Sequence, residues 1–571
     1  MLPPLLLAFF IAAGFSFRLG ACTQVPLNDL RLEKGGKVVD ADLSSFIQNE
    51  LQTNNVTGLS LTIVLPNGGG VEYAAWGDRT ETGDPVTEET IMHLGSCSKA
   101  FLSASLGILM QDFADGKNQT ALPPSVRKFD WDTKVRDLLP DEWMTEDPFG
   151  TEKATLKDLL AHRTGLPAHD GSYSPSDTPH NVVTKMRHLR AAYEFRERYE
   201  YNNQMYVTGA YVVSKYSGLA YRDFAEARIL RPLSMKSSTL YPDRAFATGE
   251  FTESWTTFRR RIAFFMPESV AELIAGAGGV MSSGEDMAKW VKTLLNSGVD
   301  PTTNRTIIPR ATFDLATSAI TIAADRGSNL TSILGYGLGW GRSTYRGHEL
   351  VSHNGGAPGV ATIVDLYPND GFGLIILANT AVHTVTRRVA SAVADRILGL
   401  PSVRSSEEAK VETPAQTEAT PVEPPTNVLA GFTGTYSDPG YGNFTLCSPL
   451  FPTSAECLAV VRDFRFVDSA AGRATDTSDL YAAWPRFWGT HLRLEHVTGN
   501  KYAFKLSTLY PDGYGLNGMP FEDLSNAAPA EFVVEDGAVV GLGVFVALKE
   551  SWRMKEGGNV RDIADVWFKK L

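Results

Sequence analysis

The chain has 571 residues, 43% hydrophobic and 21% charged, with 53 Lys+Arg against 65 Asp+Glu for a net charge of −12. Domains usually hold about 100–200 residues, so several domains' worth of chain is present. This mix excludes a disordered, collagen-like or disulfide-framework protein. An acidic chain without a long basic run also lacks the charge needed to hold a phosphate backbone, so nucleic acid is not an expected partner.

Met1 to Phe17 is almost wholly apolar and ends at Arg18. The run falls short of the roughly 20 residues that a bilayer span needs. It fits the apolar part of a signal peptide over residues 1–22, although a basic start is missing. Leu19-Gly20-Ala21-Cys22 also resembles a bacterial lipobox, which would leave Cys22 lipidated. A buried N-terminal helix is the third reading. No second run reaches spanning length, so no stable membrane span is expected. Asn-x-Thr sequons at Asn55, Asn118, Asn304, Asn329 and Asn443 favour a eukaryotic secretory route with glycosylation at those positions.

Residues 59–65 and 71–76 predict a β-hairpin around Pro66-Asn67-Gly68-Gly69-Gly70. Helical apolar spacing predicts helices over 98–113, 155–161, 206–216, 284–295 and 385–398. Residues 360–367 and 372–378 read as strands joined at Pro368-Asn369-Asp370-Gly371. Strands at both ends with helices between them predict an α/β or α+β domain over 25–400. Residues 401–428 are rich in Pro and Glu and lack aromatics, which predicts a linker. The tail, 429–571, shows short strands at 434–436, 444–446, 458–461, 492–496 and 502–506, then a hairpin from 531–534 to 539–545 across Asp536-Gly537. That pattern predicts a small antiparallel barrel or sandwich.

The four cysteines are Cys22, Cys97, Cys447 and Cys457. Cys447 and Cys457, ten apart, either close one loop in an oxidising compartment or stay as two free thiols. No paired C-x-x-C, H-E-x-x-H or H-x-E pattern occurs, so neither a metal site nor a cofactor is expected. The absence of G-x-S-x-G argues against an α/β-hydrolase.

Ser96-Cys97-Ser98-Lys99 opens the helix that runs to Phe113. Three residues apart on a helix, Ser96 and Lys99 share one face. Ser96 at the helix start meets free N–H groups that favour developing negative charge. A Lys facing the interior loses hydration, which brings its neutral form within reach. A hydroxyl beside such an amine is a nucleophile–base pair. On this motif alone, a plain N-cap by Ser96 or Ser98 is the competing reading. Cys97 lies about 100° round the helix from Ser96 and reads as a buried thiol.

Thr90–Leu94, the SCSK turn and the following helix together resemble the serine β-lactamase and penicillin-binding-protein superfamily, in its class C-like, esterase and D-aminopeptidase branch. Further segments match in order: ATLKDLLAHRTGLP at 154–167, Tyr201-Asn202-Asn203, ARILRPLSM at 227–235, GAGGVMSSGEDMAKW at 276–290, GYGLGW at 335–340 and His353-Asn354-Gly355. The resemblance spans about residues 35–400. It implies an antiparallel sheet flanked by helices, with an all-helical subdomain, and no cofactor. It also implies that Ser96 attacks a carbonyl to form an acyl-enzyme. Lys99 eases removal of the Ser96 proton, and Tyr201 is the partner base, as phenolate or through a relay with Lys99. Asn203 orients Lys99 and donates to substrate. The N–H groups of Ser96 and Gly356 form the oxyanion hole, and Gly355 and Gly356 suit a strand edge that substrate approaches closely. His353 stands where the family has Lys-Thr-Gly or His-x-Gly. A mostly neutral His there offers no fixed charge to a substrate carboxylate, which favours ester, amide or acyl-transfer chemistry; a purely structural His353 is the alternative.

The expected activity is that of a secreted serine hydrolase on a small ester, amide or peptide. Alternatives are an acyltransferase, a β-lactamase or D-aminopeptidase-like peptidase, and a silent binding scaffold. The tail loosely resembles lipocalin-like barrels appended to D-aminopeptidase relatives and is expected to border the cleft. Oligomeric state is left open.

Overall fold

The computed structural model describes residues 37–402, 429–452, 454–473, 477–547 and 551–571. The expected signal peptide, 1–22, and residues 403–428 of the expected linker lie outside the described residues.

Eight strands build a first, wholly antiparallel sheet. They are β1 (Gly58–Val64), β2 (Val71–Gly77), β3 (Thr321–Ala324), β4 (Leu334–Tyr336), β5 (Gly341–Tyr345), β6 (His348–Ala357), β7 (Val360–Tyr367) and β8 (Phe372–Ala378). The spatial order β2-β1-β8-β7-β6-β5-β4-β3 seats the N-terminal hairpin against the last strand, with Leu61 opposite Ile376. The main helices are α1 (Ala41–Thr53), α2 (Lys99–Ala114), α3 (Asn203–Ser217), α4 (Ala271–Gly278), α5 (Gly284–Leu295) and α6 (His383–Ile397).

Strands β1, β7 and β8 are buried along their whole length because helices cover both faces. Leu59, Leu61 and Ile63 pack with Leu43 and Ile47 of α1 and Val389 of α6. Ile375 and Leu377 of β8 belong to the opposite layer, with Leu102 of α2 and Trp290 of α5. The alternation of strand side chains sorts one run into two cores. Local signals set the helix starts: Ser283 caps α5, Asn202 caps α3, and Thr155 with Asp158 forms a capping box on the short helix Leu156–Leu160.

The tail forms a second antiparallel sheet from β9 (Gly434–Asp438), β10 (Gly442–Leu446), β11 (Leu480–Arg486), β12 (Gly489–Thr498), β13 (Lys501–Tyr510), β14 (Phe521–Glu535), β15 (Ala538–Val544) and β16 (Val566–Lys570). Its order is β10-β9-β16-β15-β14-β13-β12-β11. Cys447, just past β10, exchanges backbone hydrogen bonds of 2.7 and 3.0 Å with Tyr481 of β11, which all but closes the sheet into a barrel. Tyr436, Phe444, Trp484, Phe504 and Phe568 fill its interior. The β14–β15 turn has positive φ at both Asp536 and Gly537, the geometry that suits a two-residue hairpin.

One expected strand is corrected. Residues 458–461 lie inside helix α7 (Ala455–Ala470), capped by Ser454. Cys457, Val460, Val461, Phe464 and Val467 are its buried apolar positions, a three-and-four spacing that a four-residue window misses. Cys447 and Cys457 form a disulfide that ties this helix to the barrel seam. Cys97 is a free, buried thiol. Replacing Cys447 and Cys457 together by Ser should lower stability by about 2–3 kcal/mol, the loop entropy of a ten-residue separation. Thermal unfolding of the two proteins checks this; identical transitions would mean that the bridge does not staple the barrel.

Candidate active site

Ser96 sits in a 3-10 turn, Gly95–Ser98, that leads directly into α2. Helix α2 is buried without a break from Lys99 to Met110, so the turn stands on a fixed base. Gly95 holds φ of +53°, and a Cβ there would stand 2.7 Å from the Gly356 nitrogen. A Cβ on Gly355 would stand 2.0 Å from the Leu94 carbonyl oxygen. Glycines at these positions let the serine turn and β6 touch backbone to backbone.

Two segments distant in sequence, 201–203 and the end of α4, converge on Ser96 and Lys99. Lys99 Nζ donates to Ser96 Oγ at 3.1 Å, to Asn203 Oδ1 at 2.8 Å and to the Ala277 carbonyl in α4 at 2.9 Å. The Tyr201 hydroxyl donates to Ser96 Oγ at 2.6 Å. Lys99 Nζ also stands 4.7 Å from the Tyr201 ring centre and 5.1 Å from that of Tyr206.

Lys99 is fully buried, and the lost hydration pulls its pKa down to about 7, although the Asp170 charge works the other way. An ammonium would use all three oxygens as acceptors. A neutral amine has two N–H groups for Asn203 and Ala277, which leaves its lone pair for Ser96. Burial pushes the Tyr201 hydroxyl upward, more than its hydrogen bond with Ser96 lowers it. Of the two expected forms of Tyr201, the phenolate is therefore the costly one, and a neutral relay beside Lys99 agrees with the electrostatics.

A cleft of about 1060 Å³ opens over this cluster. Ser96, Asp170, Tyr201, Asn203 and Gly356 line its floor, and Trp488, Arg493 and Phe521 of the barrel line the facing wall. His353 and Gly355 lie beneath that surface. His353 is buried, with Nδ1 2.6 Å from the Asn354 carbonyl and Nε2 2.9 Å from the Tyr336 hydroxyl. The carbonyl marks Nδ1 as the protonated nitrogen, so Nε2 accepts from Tyr336. Burial and the Lys99 charge pull its pKa down to about 3, so it is neutral. These two hydrogen bonds fit the alternative of a structural His353. Cys97 donates to the His353 carbonyl at 3.2 Å, and burial pushes its thiol up to about 12.

Three site residues escape the sequence reading: Asp170, Tyr173 and Tyr336. Asp170 follows the matched stretch 154–167 by three residues, and Tyr336 lies inside GYGLGW, so position alone could have flagged both. Tyr173 carries no such signal.

A serine paired with a buried lysine and a tyrosine, on a helix that packs under an antiparallel sheet, defines a serine hydrolase of the β-lactamase type. The Beta-lactamase family model matches residues 43–398, and the chain belongs to that family. An unguisins hydrolase of Aspergillus campestris is 26% identical over 442 residues, covering 73% of this chain and 79% of the relative. A second unguisins hydrolase, from Aspergillus violaceofuscus, is 26% identical over 570 residues and covers 91% of each. The octameric penicillin-binding protein homologue from Pyrococcus abyssi superposes with a TM-score of 0.53 at 18% identity, covering 93% of this chain and 99% of that one, so the fold likeness extends over the barrel.

The rate at which an activated ester acylates Ser96 should rise with pH through a midpoint near 7, because the amine of Lys99 is basic only after it loses its proton. Lys99→Ala should abolish that limb and slow acylation by about 10²–10⁴-fold, the usual worth of a general base. Stopped-flow rates across neutral pH measure both; a flat wild-type profile would remove Lys99 as the base.

Proposed function

We propose that the chain is a secreted serine hydrolase that cleaves an ester or amide through an acyl intermediate on Ser96. The observation that carries this reading is the placement of the Tyr201 hydroxyl at 2.6 Å and the Lys99 amine at 3.1 Å from one serine oxygen on the floor of an open cleft.

Neutral Lys99 takes the Ser96 proton, and Oγ bonds to the substrate carbonyl carbon. The N–H groups of Ser96 and Gly356 receive the oxyanion. The tetrahedral intermediate expels the alcohol or amine, which gains the proton that Lys99 returns through Tyr201. Water then attacks the acyl carbon by the reverse relay, releasing the acid and Ser96. Asn203 holds Lys99 in line and turns an amide edge to the substrate. With His353 neutral and buried, that position offers no positive charge to a carboxylate, which supports esters and amides over β-lactams. The barrel wall limits the size of the acyl or leaving group. The names of the Aspergillus relatives make unguisins the first compounds to try.

Secretion is supported by three features: the apolar run Met1 to Phe17, the Cys447–Cys457 disulfide, and the exposure of all five sequon asparagines, Asn55, Asn118, Asn304, Asn329 and Asn443.

Intact-mass analysis after treatment with a fluorophosphonate should give one adduct, absent from Ser96→Ala. A panel of p-nitrophenyl esters, D-amino acid amides, nitrocefin and unguisins should then show turnover that Lys99→Ala and Tyr201→Phe remove. An adduct that survives Ser96→Ala would overturn the reading. Protein made by a eukaryotic secretory host should lose mass with peptide-N-glycosidase; unchanged mass would count against glycosylation at the five sites.

A further inference from the structure

The contacts that orient Lys99 continue beyond Asn203. The Asn203 amide nitrogen donates to Asp170 Oδ1 and Oδ2 at 3.2 and 3.3 Å. The Tyr173 hydroxyl donates to Asp170 Oδ1 at 2.7 Å, and the Trp488 indole N–H donates to the Tyr173 hydroxyl at 2.7 Å. Trp488 belongs to the barrel, in the turn between β11 and β12. Two more barrel contacts hold the same loop: the Phe487 N–H donates to the Tyr173 carbonyl at 3.2 Å, and the Tyr441 hydroxyl lies 2.7 Å from His169 Nδ1. His169 Nε2 faces the Arg190 carbonyl at 2.9 Å, so Nε2 holds the proton and Nδ1 accepts from Tyr441.

The orientation of Asn203 is what this loop decides. Its amide must turn oxygen toward Lys99 and nitrogen away, since the reverse sets N–H groups against the amine. Asp170 is the acceptor that selects the working orientation, and Tyr173 and Trp488 fix Asp170. We propose that Trp488 is a positioning residue supplied by the barrel: through Tyr173 and Asp170 it sets the Asn203 amide that aims the Lys99 amine at Ser96. This rests on the reading of Ser96 as nucleophile and Lys99 as base.

The test uses full-length protein and follows acylation by an activated ester, across pH, in wild type, Trp488→Phe, Tyr173→Phe and the double variant. Trp488→Phe keeps an aromatic ring against Phe265, on which Trp488 stacks at 5.5 Å, and deletes the donor to Tyr173. Tyr173 is buried behind the cleft surface, so Tyr173→Phe should lower the acylation rate constant and leave the ester concentration at half-saturation of that step unchanged. Each single variant should slow acylation about three- to tenfold, the factor of one net hydrogen bond. The double variant should be no slower than the worse single one, because both break one chain of contacts.

The rising limb should also move to lower pH. The Tyr173 bond favours the Asp170 carboxylate, whose charge raises the proton affinity of Lys99; the other groups facing that amine, Cys97, Tyr201, Tyr206, His162 and His353, stay in place. The Nζ titration of Lys99, read by NMR on lysine-labelled protein, reports the same shift without substrate. A wild type that never acylates therefore strikes the functional reading alone. Should one variant unfold, the other and Asp170→Asn carry the same measurements. Wild-type rates and titration in folded variants, multiplicative effects in the double variant, or a slower rate with an unmoved pH limb would each overturn the proposal.

Discussion

A lysine with no exposed surface and three oxygens around its nitrogen is the constraint that organises this molecule. An unpartnered charge in an apolar interior costs several kcal/mol. The amine is therefore tolerable only if the fold delivers its partners together. One comes from the 3-10 turn that leads into its own helix, one from the start of α3 and one from the end of α4. The close packing of these helices, with Gly276 leaving room for Ala210 and Tyr206 across the α3–α4 contact, is thus as much a part of the site as the polar groups. Desolvation that cannot be fully offset becomes chemistry: the neutral amine is accessible near neutral pH, and one lone pair is left over for Ser96.

The same burial separates the two proton-handling groups. It pulls an amine down and a phenol up, because each shift avoids the charged form. Lys99 and Tyr201 therefore do not compete for one role. In the proposed reaction the amine holds the proton taken from Ser96, and the phenol conducts it without standing as an anion.

What the sequence made legible follows from the range of each interaction. Ser96 and Lys99 are visible because helix geometry alone relates residues three apart. The hairpin β1–β2, the strands β7 and β8, and helix α5 are visible because apolar period and turn residues repeat over enough positions. Residues 458–461 mislead because a short apolar run carries no period of its own, and Ser454 with the buried spacing of the whole segment decides for helix. His353 marks the right place in the chain but not its depth, which depends on Tyr336 reaching it from β4. The roles of Asp170 and Trp488 are hidden for a related reason: Asp170 bonds to Asn203, 33 positions away, and Trp488 to Tyr173, 315 positions away. No local pattern encodes such pairs.

The barrel's interior bears on how it can serve the site. Phe444, Trp484, Phe504 and Phe568 pack ring against ring at its centre, so the interior is a packed core, as small barrels require. Its contribution to chemistry must then come from its rim and outer wall, and that is where Trp488, Arg493 and Phe521 meet the cleft. Arg493 is itself held by Asp468 and Glu522 in a buried ion network, which gives that wall a fixed shape. Under the proposed function, a wall held by two carboxylates would select substrates by exclusion. Selectivity in this enzyme should accordingly depend on what the second sheet leaves uncovered above Ser96, while the reaction itself depends on what the first sheet and its helices bury below.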